Sequence, residues 1–246
     1  MRIKKTPMSD VKERPVSGIT HRILFMRHPE TIANTQGFLS GRRDVPLTEN
    51  GVIQRDRAVE ALVAFKPDRI WTSPLSRCRD MGQMAAQRLG LTLEVKNDLA
   101  EIDFGILEGV SFAEARTVLA PYGLTFPWGS DEQNHSQPAP YAESYEAVRV
   151  RCQHILDELI ALDGRTVCLT HGGYLRCMMG QILKTPANTA CGVHLANTSS
   201  VYFTSNGGND LKLGGFNLDP QEVIYASTTP SIYDSRNIWG VHKEDA

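Results

Sequence analysis

The chain has 246 residues, 41% of them hydrophobic and 22% charged, which is enough to bury a large core in one α/β domain. Its formal net charge of −2 argues against a general nucleic-acid or membrane surface, so any attraction for anions must come from local clusters such as Arg27, Arg42, Arg43 and Arg77. No apolar stretch is long enough to span a bilayer, residues 1–20 lack an apolar signal region, and the five cysteines (Cys78, Cys152, Cys168, Cys177, Cys191) show no C-x-x-C spacing and read as reduced core residues, so a cytoplasmic protein with a loose N-terminal arm over 1–20 is expected.

In chain order, Arg22 to Met26 is a short apolar run that predicts a buried strand, and it ends on Arg27-His28. A polar, Gly-containing loop from Asn34 to Pro46 follows, after which Thr48 is placed to cap a helix with an apolar stripe at Val52, Val59, Leu62 and Val63. Ile70 to Ser73 predicts a second strand, and Ser73-Pro74 a helix start, because proline at the first helical position loses no needed hydrogen bond. That helix carries Cys78, Met81, Ala85 and Leu89 on one face and stops at Gly90, with a strand at Leu91 to Val95 beyond it.

The stretch from Ser111 to Glu143 breaks the rhythm. It is rich in Pro, Gly and aromatic residues (Phe112, Tyr122, Phe126, Trp128, Tyr141), carries only one short helix near Phe112 to Leu119, and is expected to be a cap inserted over the site. Ser144 then caps a long helix with Val148, Cys152, Ile155, Leu159 and Leu162 at helical spacing. Thr166 to Thr170 is a strand ending on His171-Gly172-Gly173, and Tyr174 to Lys184 a helix closed by Pro186. Val193 to Ala196, Ser200 to Thr204 and Leu211 to Phe216 predict further strands, the last two joined by a hairpin turn at Asn206 to Asn209. Alternating strands and helices imply a three-layer α/β fold: a mostly parallel sheet with helices on both faces, one domain over 21–246 with the cap at 111–143.

Two histidines delivered by two buried strand ends suggest one site, since ligands of open α/β sheets sit beyond the carboxyl ends of the strands. Neither a strand-end histidine nor an arginine in a first helical turn is distinctive alone, but together they are. Arg77 lies where a helix N-terminus already favours anions, and the planar fork of arginine suits the oxygens of a phosphoryl group in transfer.

Arg27-His28-Pro29-Glu30-Thr31 with Asn34 and Gly41 to Gly51, Ser73-Pro74-Leu75-Ser76-Arg77, Glu101 to Gly109, and Thr170-His171-Gly172-Gly173 stand in the order of the motifs of the histidine phosphatase superfamily, which the chain resembles from about residue 22 to 204. The resemblance implies a phosphoglycerate-mutase-like fold and a phosphatase that hydrolyses a small-molecule phosphate monoester. His28 would be the nucleophile that becomes phosphohistidine, Arg27, Arg77 and His171 would hold the oxygens, and Glu101 would protonate the leaving alcohol and later take a proton from water. Asn34 and Gly172 would add phosphate contacts, with Ser40, Gly41 and Arg42 at the mouth of the site.

No metal or other cofactor is implied, and the chain offers no H-E-x-x-H helix or carboxylate cluster at metal-ligand spacing. The family usually carries glycine after the nucleophilic histidine. Here Pro29 removes a backbone N–H and favours extended geometry at His28, which a strand end has anyway. A phosphoglycerate mutase and a weakly catalytic binder of phosphorylated ligands are the rival readings; Asp103-Phe104-Gly105 with Glu108-Gly109 resembles the phosphatase branch. The aromatic, mildly acidic cap (Asp131, Glu132) leans toward an ester with an organic body. No nucleic-acid or membrane partner is expected, and a homodimer is left open.

Overall fold

The computed structural model describes residues 21–124, 139–185, 192–205 and 211–228. Six strands form one sheet in the order β3-β2-β4-β1-β5-β6: β1 (His21–Arg27), β2 (Arg69–Thr72), β3 (Leu93–Val95), β4 (Gly164–Thr170), β5 (Ser200–Ser205) and β6 (Leu211–Leu218). β1, β2, β3 and β4 run parallel, while β5 pairs antiparallel with both β1 and β6. The helices are α1 (Ile32–Gln36), α2 (Glu49–Phe65), α3 (Ser76–Leu89), α4 (Phe112–Leu119), α5 (Tyr145–Ile160), α6 (Gly172–Leu183) and α7 (Pro220–Thr228).

The period-two alternation of the strands divides the core into two halves. Ile23, Phe25, Trp71, Cys168, Val201 and Phe203 point to one face, where α5 and α6 bring Val148, Cys152, Ile155, Leu159, Leu175 and Met178. Leu24, Met26, Ile70, Val167, Leu169 and Tyr202 point to the other, where α2, α3 and α7 bring Leu62, Phe65, Met81, Ala85 and Val223. The expected three-layer, mostly parallel architecture is the one observed. A third, smaller core of Leu39, Leu107, Ala115, Leu119, Ala139 and Ala142 lies under α4, so the described part of the 111–143 segment rests on a cluster of its own.

Several sequence expectations change in detail. Pro74 is not the first helical residue: Leu75 is the N-cap of α3, and the Ser76 N–H and hydroxyl both donate to Asp44 Oδ1 (2.8 and 2.9 Å). Val52 is exposed, because α2 buries Ala58, Val59, Ala61, Leu62 and Phe65 instead. The loop expected from Asn34 onward begins inside α1, whose Thr31 N-cap and Asn34 form a capping box. Val193 to Ala196 is not a strand, for its carbonyls are engaged elsewhere: Leu195 accepts from Arg27 and Val193 from Arg176. The helix expected from Tyr174 begins at Gly172. Thr48 and Ser144 cap α2 and α5 as expected, accepting from the Gly51 and Ala147 N–H groups.

Cys78, Cys152, Cys168 and Cys177 are free and buried. The N-terminal arm, Phe126, Trp128, Asp131, Glu132, Pro186, Cys191 and the turn at 206–209 lie outside the described residues. Among the described residues, no helix is long and apolar enough to cross a membrane.

Candidate active site

Three neighbouring strands converge at their carboxyl ends. β1 leads into His28, whose N–H donates to the Thr170 carbonyl (3.0 Å), β4 leads into His171, and β2 leads into Ser73, whose N–H donates to the Leu169 carbonyl (2.9 Å). The ladder thus continues one residue past β1 and β2, and the two imidazoles lie with ring centroids 5.3 Å apart and planes tilted by 51°. Both rings are buried, His28 with 4% and His171 with 0% of its surface exposed.

His28 Nδ1 lies 2.7 Å from the Pro29 carbonyl. A carbonyl can only accept, so Nδ1 carries the hydrogen and Nε2 presents its lone pair. Burial, then the fields of Arg77 and Arg27, hold its pKa well below the usual 6.5, so the ring is neutral. Pro29 therefore retains the carbonyl that orients the imidazole, and only its N–H is lost.

His171 is fixed at both nitrogens. Arg77 Nε donates to Nδ1 (3.2 Å), which leaves Nε2 to donate to Ser73 Oγ (2.6 Å). Burial, followed by Arg77 and His28, also pushes this histidine well below 6.5. Arg77 continues outward, its terminal nitrogens donating to the carbonyls of Arg43 (2.9 Å) and Gly41 (2.8 Å). Each terminal nitrogen keeps a second N–H. Gly41 has φ +51° and its missing Cβ would fall 1.9 Å from Glu108 Oε1, so only glycine turns the loop there. Gly41 is thus found holding Arg77 through its carbonyl.

Arg27 donates to the Leu195 carbonyl, and its Nε is buried with no acceptor among the described residues. Burial lowers its pKa, an effect opposed by Glu101. The Glu101 carboxylate accepts three backbone N–H groups: Ile102 (2.9 Å) and Tyr174 (2.8 Å) at Oε1, and Gly173 (3.1 Å) at Oε2. Two of these belong to the first turn of α6, whose N-cap is His171, so Glu101 and the second histidine share one helix end.

The remaining expected residues are at the rim. Asn34 Oδ1 accepts from Thr31 and Asn197, which leaves its amide N–H groups to donate outward. The Ser40 carbonyl closes a turn on the Arg43 N–H. Arg42 turns toward the Glu101 carbonyl (3.4 Å) and Glu143 (3.3 Å). Gly172 stands first in α6, beside the Arg27 guanidinium. Glu30 and Glu108 serve structure, Glu30 accepting from the Thr48 hydroxyl (2.6 Å) and Glu108 from the Arg42 N–H (2.7 Å). Sequence reasoning missed Ser73 as the partner of His171, although it stands in a quoted motif. It also missed Glu143 and Arg151, for which no local signal exists.

Known proteins carry the same frame. The description of the histidine phosphatase superfamily (branch 1) matches residues 23–214. A protein of Mycobacterium tuberculosis named "Bifunctional protein Rv2228c" is 30% identical over 205 residues, which are 80% of this chain and 54% of that protein, so the chain spans about half the length of this relative. The "Probable phosphoglycerate mutase GpmB" of Yersinia pestis is 26% identical over 72% of this chain and 82% of its own. Among solved structures, a mycobacterial glucosyl-3-phosphoglycerate phosphatase in complex with VO3 superposes with a TM-score of 0.67 at 25% identity, over 80% of this chain and 98% of its own. With strand ends, paired histidines and arginines in place and the match running over most of its length, the chain belongs to branch 1 of the histidine phosphatase superfamily.

Proposed function

We propose that the protein hydrolyses a small-molecule phosphate monoester through a phosphohistidine on His28. The observation that carries this reading is the buried, neutral His28 ring, with Nδ1 tied to the Pro29 carbonyl and Nε2 free, between Arg27 and Arg77. In the first step Nε2 attacks phosphorus, a P–N bond forms as the ester P–O bond breaks, and Glu101 gives its proton to the departing alcohol. Arg27, the second N–H groups of Arg77, the Asn34 amide and the Gly172 N–H gather the charge on the three phosphoryl oxygens, while His171, expected among these donors, spends its one N–H on Ser73 and acts by holding Arg77. In the second step Glu101 takes a proton from water, whose oxygen bonds to phosphorus as the P–N bond breaks. Inorganic phosphate leaves and His28 returns to its starting form. Ser40 and Arg42 contact the organic part of the ester at the mouth.

The test is phosphate release from p-nitrophenyl phosphate and from 3-phosphoglycerate, with and without a chelator. Release from wild type that survives the chelator and disappears in His28→Ala is expected. Release that needs a metal, or that persists in His28→Ala, would contradict the proposal. Isomerised phosphoglycerate without free phosphate would assign the mutase reaction instead.

A further inference from the structure

We infer that Arg151 and Glu143 are positioning residues that set the Glu101 carboxylate for proton transfer, an inference that rests on the phosphatase reading above. Arg151, on α5, is almost fully buried, and its guanidinium is used on all sides. One terminal nitrogen donates to the carbonyls of Asp98 (2.8 Å) and Ala100 (2.6 Å), in the segment that delivers Glu101. Nε and the other terminal nitrogen grip Glu143 in a bidentate pair (2.6 and 2.9 Å).

Glu143 secures the far side of the same segment. Its N–H donates to the Asp103 carbonyl (2.8 Å), and its carboxylate accepts from the Asp103 N–H (3.4 Å). Glu101 is therefore bracketed from residues 98 to 103 by one ion pair. The guanidinium also lies over the Tyr174 ring, 4.7 Å from its centroid, and Tyr174 is the residue whose N–H holds Glu101 Oε1. One side chain thus touches both the segment that carries the acid and the residue that receives it. Burial works against the Arg151 charge, and the hydrogen bonds and field of Glu143 more than offset it. Arg42 reaches the same Glu143 carboxylate from the mouth of the site, so the pair also links the acid to the substrate entrance.

A brace of this kind makes a chemical prediction that a purely structural ion pair does not. A general acid matters in proportion to how badly the leaving group needs a proton. Arg151→Lys keeps the charge but loses the fork. Arg151→Met combined with Glu143→Met removes the pair without leaving a lone buried charge, and gives a second folded variant if the first melts. Two readouts are compared with wild type: kcat/KM for alkyl phosphates against p-nitrophenyl phosphate, and hydrogen exchange at the Gly173 and Tyr174 amides. The alkyl esters should lose about tenfold or more relative to the aryl ester, a fraction of what a general acid supplies, and the two amides should exchange faster. Equal losses for both ester classes in folded variants, or unchanged exchange at both amides, would overturn the inference. Faster exchange in the variants of a protein whose wild type hydrolyses no phosphate ester would leave the brace standing and overturn the phosphatase reading.

Discussion

Arg77 commits three donor contacts to the protein, to His171 and to the carbonyls of Gly41 and Arg43. It both presents the remaining N–H groups to an incoming anion and anchors the loop before α2. Arg77→Ala should remove roughly 3 kcal/mol of transition-state stabilisation, about a hundredfold in kcat/KM. It should also lower the melting temperature, because two carbonyls lose their donor. Arg27→Ala should lose a similar share of kcat/KM, and lysine should restore little at either site, since an ammonium has no planar fork. Undiminished kcat/KM in a folded Arg77→Ala protein would contradict the phosphate position. Arg27, His28, Arg77, Glu101 and His171 were legible in the sequence because each lies within a contiguous motif at an element end. Arg151 and Glu143 were not, for their partners at Asp98, Ala100 and Asp103 are neighbours only after folding.

Clear periodicity makes an element legible in the sequence, and backbone groups that serve other residues do not show there. The β1 and β4 runs alternate between two buried faces and end where the sequence places them to within a residue. Val193 to Ala196 has strand composition, yet two of its carbonyls orient Arg27 and Arg176 instead of joining the ladder. The α2 stripe was misjudged at Val52 because small residues, Ala58 and Ala61, supply much of the buried face. That helix docks beside the His28 segment through Gly51, whose missing Cβ would fall 1.9 Å from the Glu30 carbonyl oxygen. Gly51→Ala must therefore displace the segment after His28, and a loss of about 1–3 kcal/mol in denaturant unfolding is expected, with a fall in turnover. An unchanged midpoint would contradict that close approach. In the 111–143 segment, Tyr122 is 56% exposed while Leu119 is buried in the small core beneath α4. If the 111–143 segment covers the pocket, Tyr122→Ala should reorder a panel of substrates and leave p-nitrophenyl phosphate hydrolysis within about threefold, because specificity and chemistry would then lie on different elements. Proportional losses across the panel would give this segment a structural role alone.

The whole molecule brings the site together by strand order. β2, β4 and β1 are adjacent and parallel, so three separate sequence motifs meet at one sheet edge. The alternation of elements implies a layered α/β fold and the expected hairpin an antiparallel β5–β6 pair, but neither shows that β5 docks antiparallel on β1, because that pairing joins residues far apart in sequence. Burying histidines uncharged also shapes stability. His21 is lowered to about 4, chiefly by burial and then by Arg69, and His28 and His171 are lowered too. The unfolded chain binds protons at these groups below its ordinary pKa of 6.5 while the folded chain does not, so their contribution is present above 6.5 and is lost as the pH falls. Unfolding midpoints should therefore drop from pH 6.5 toward pH 4, and His21→Asn should flatten that slope; a midpoint constant over this window would contradict it. The proposed covalent step takes place at one nitrogen, His28 Nε2. Wild-type protein mixed rapidly with labelled substrate and quenched in base should carry phosphate on His28 at Nε2, stable in alkali and labile in acid, as located by mass spectrometry and phosphorus NMR. Label on Nδ1, on another residue, or on none during active turnover would contradict the account.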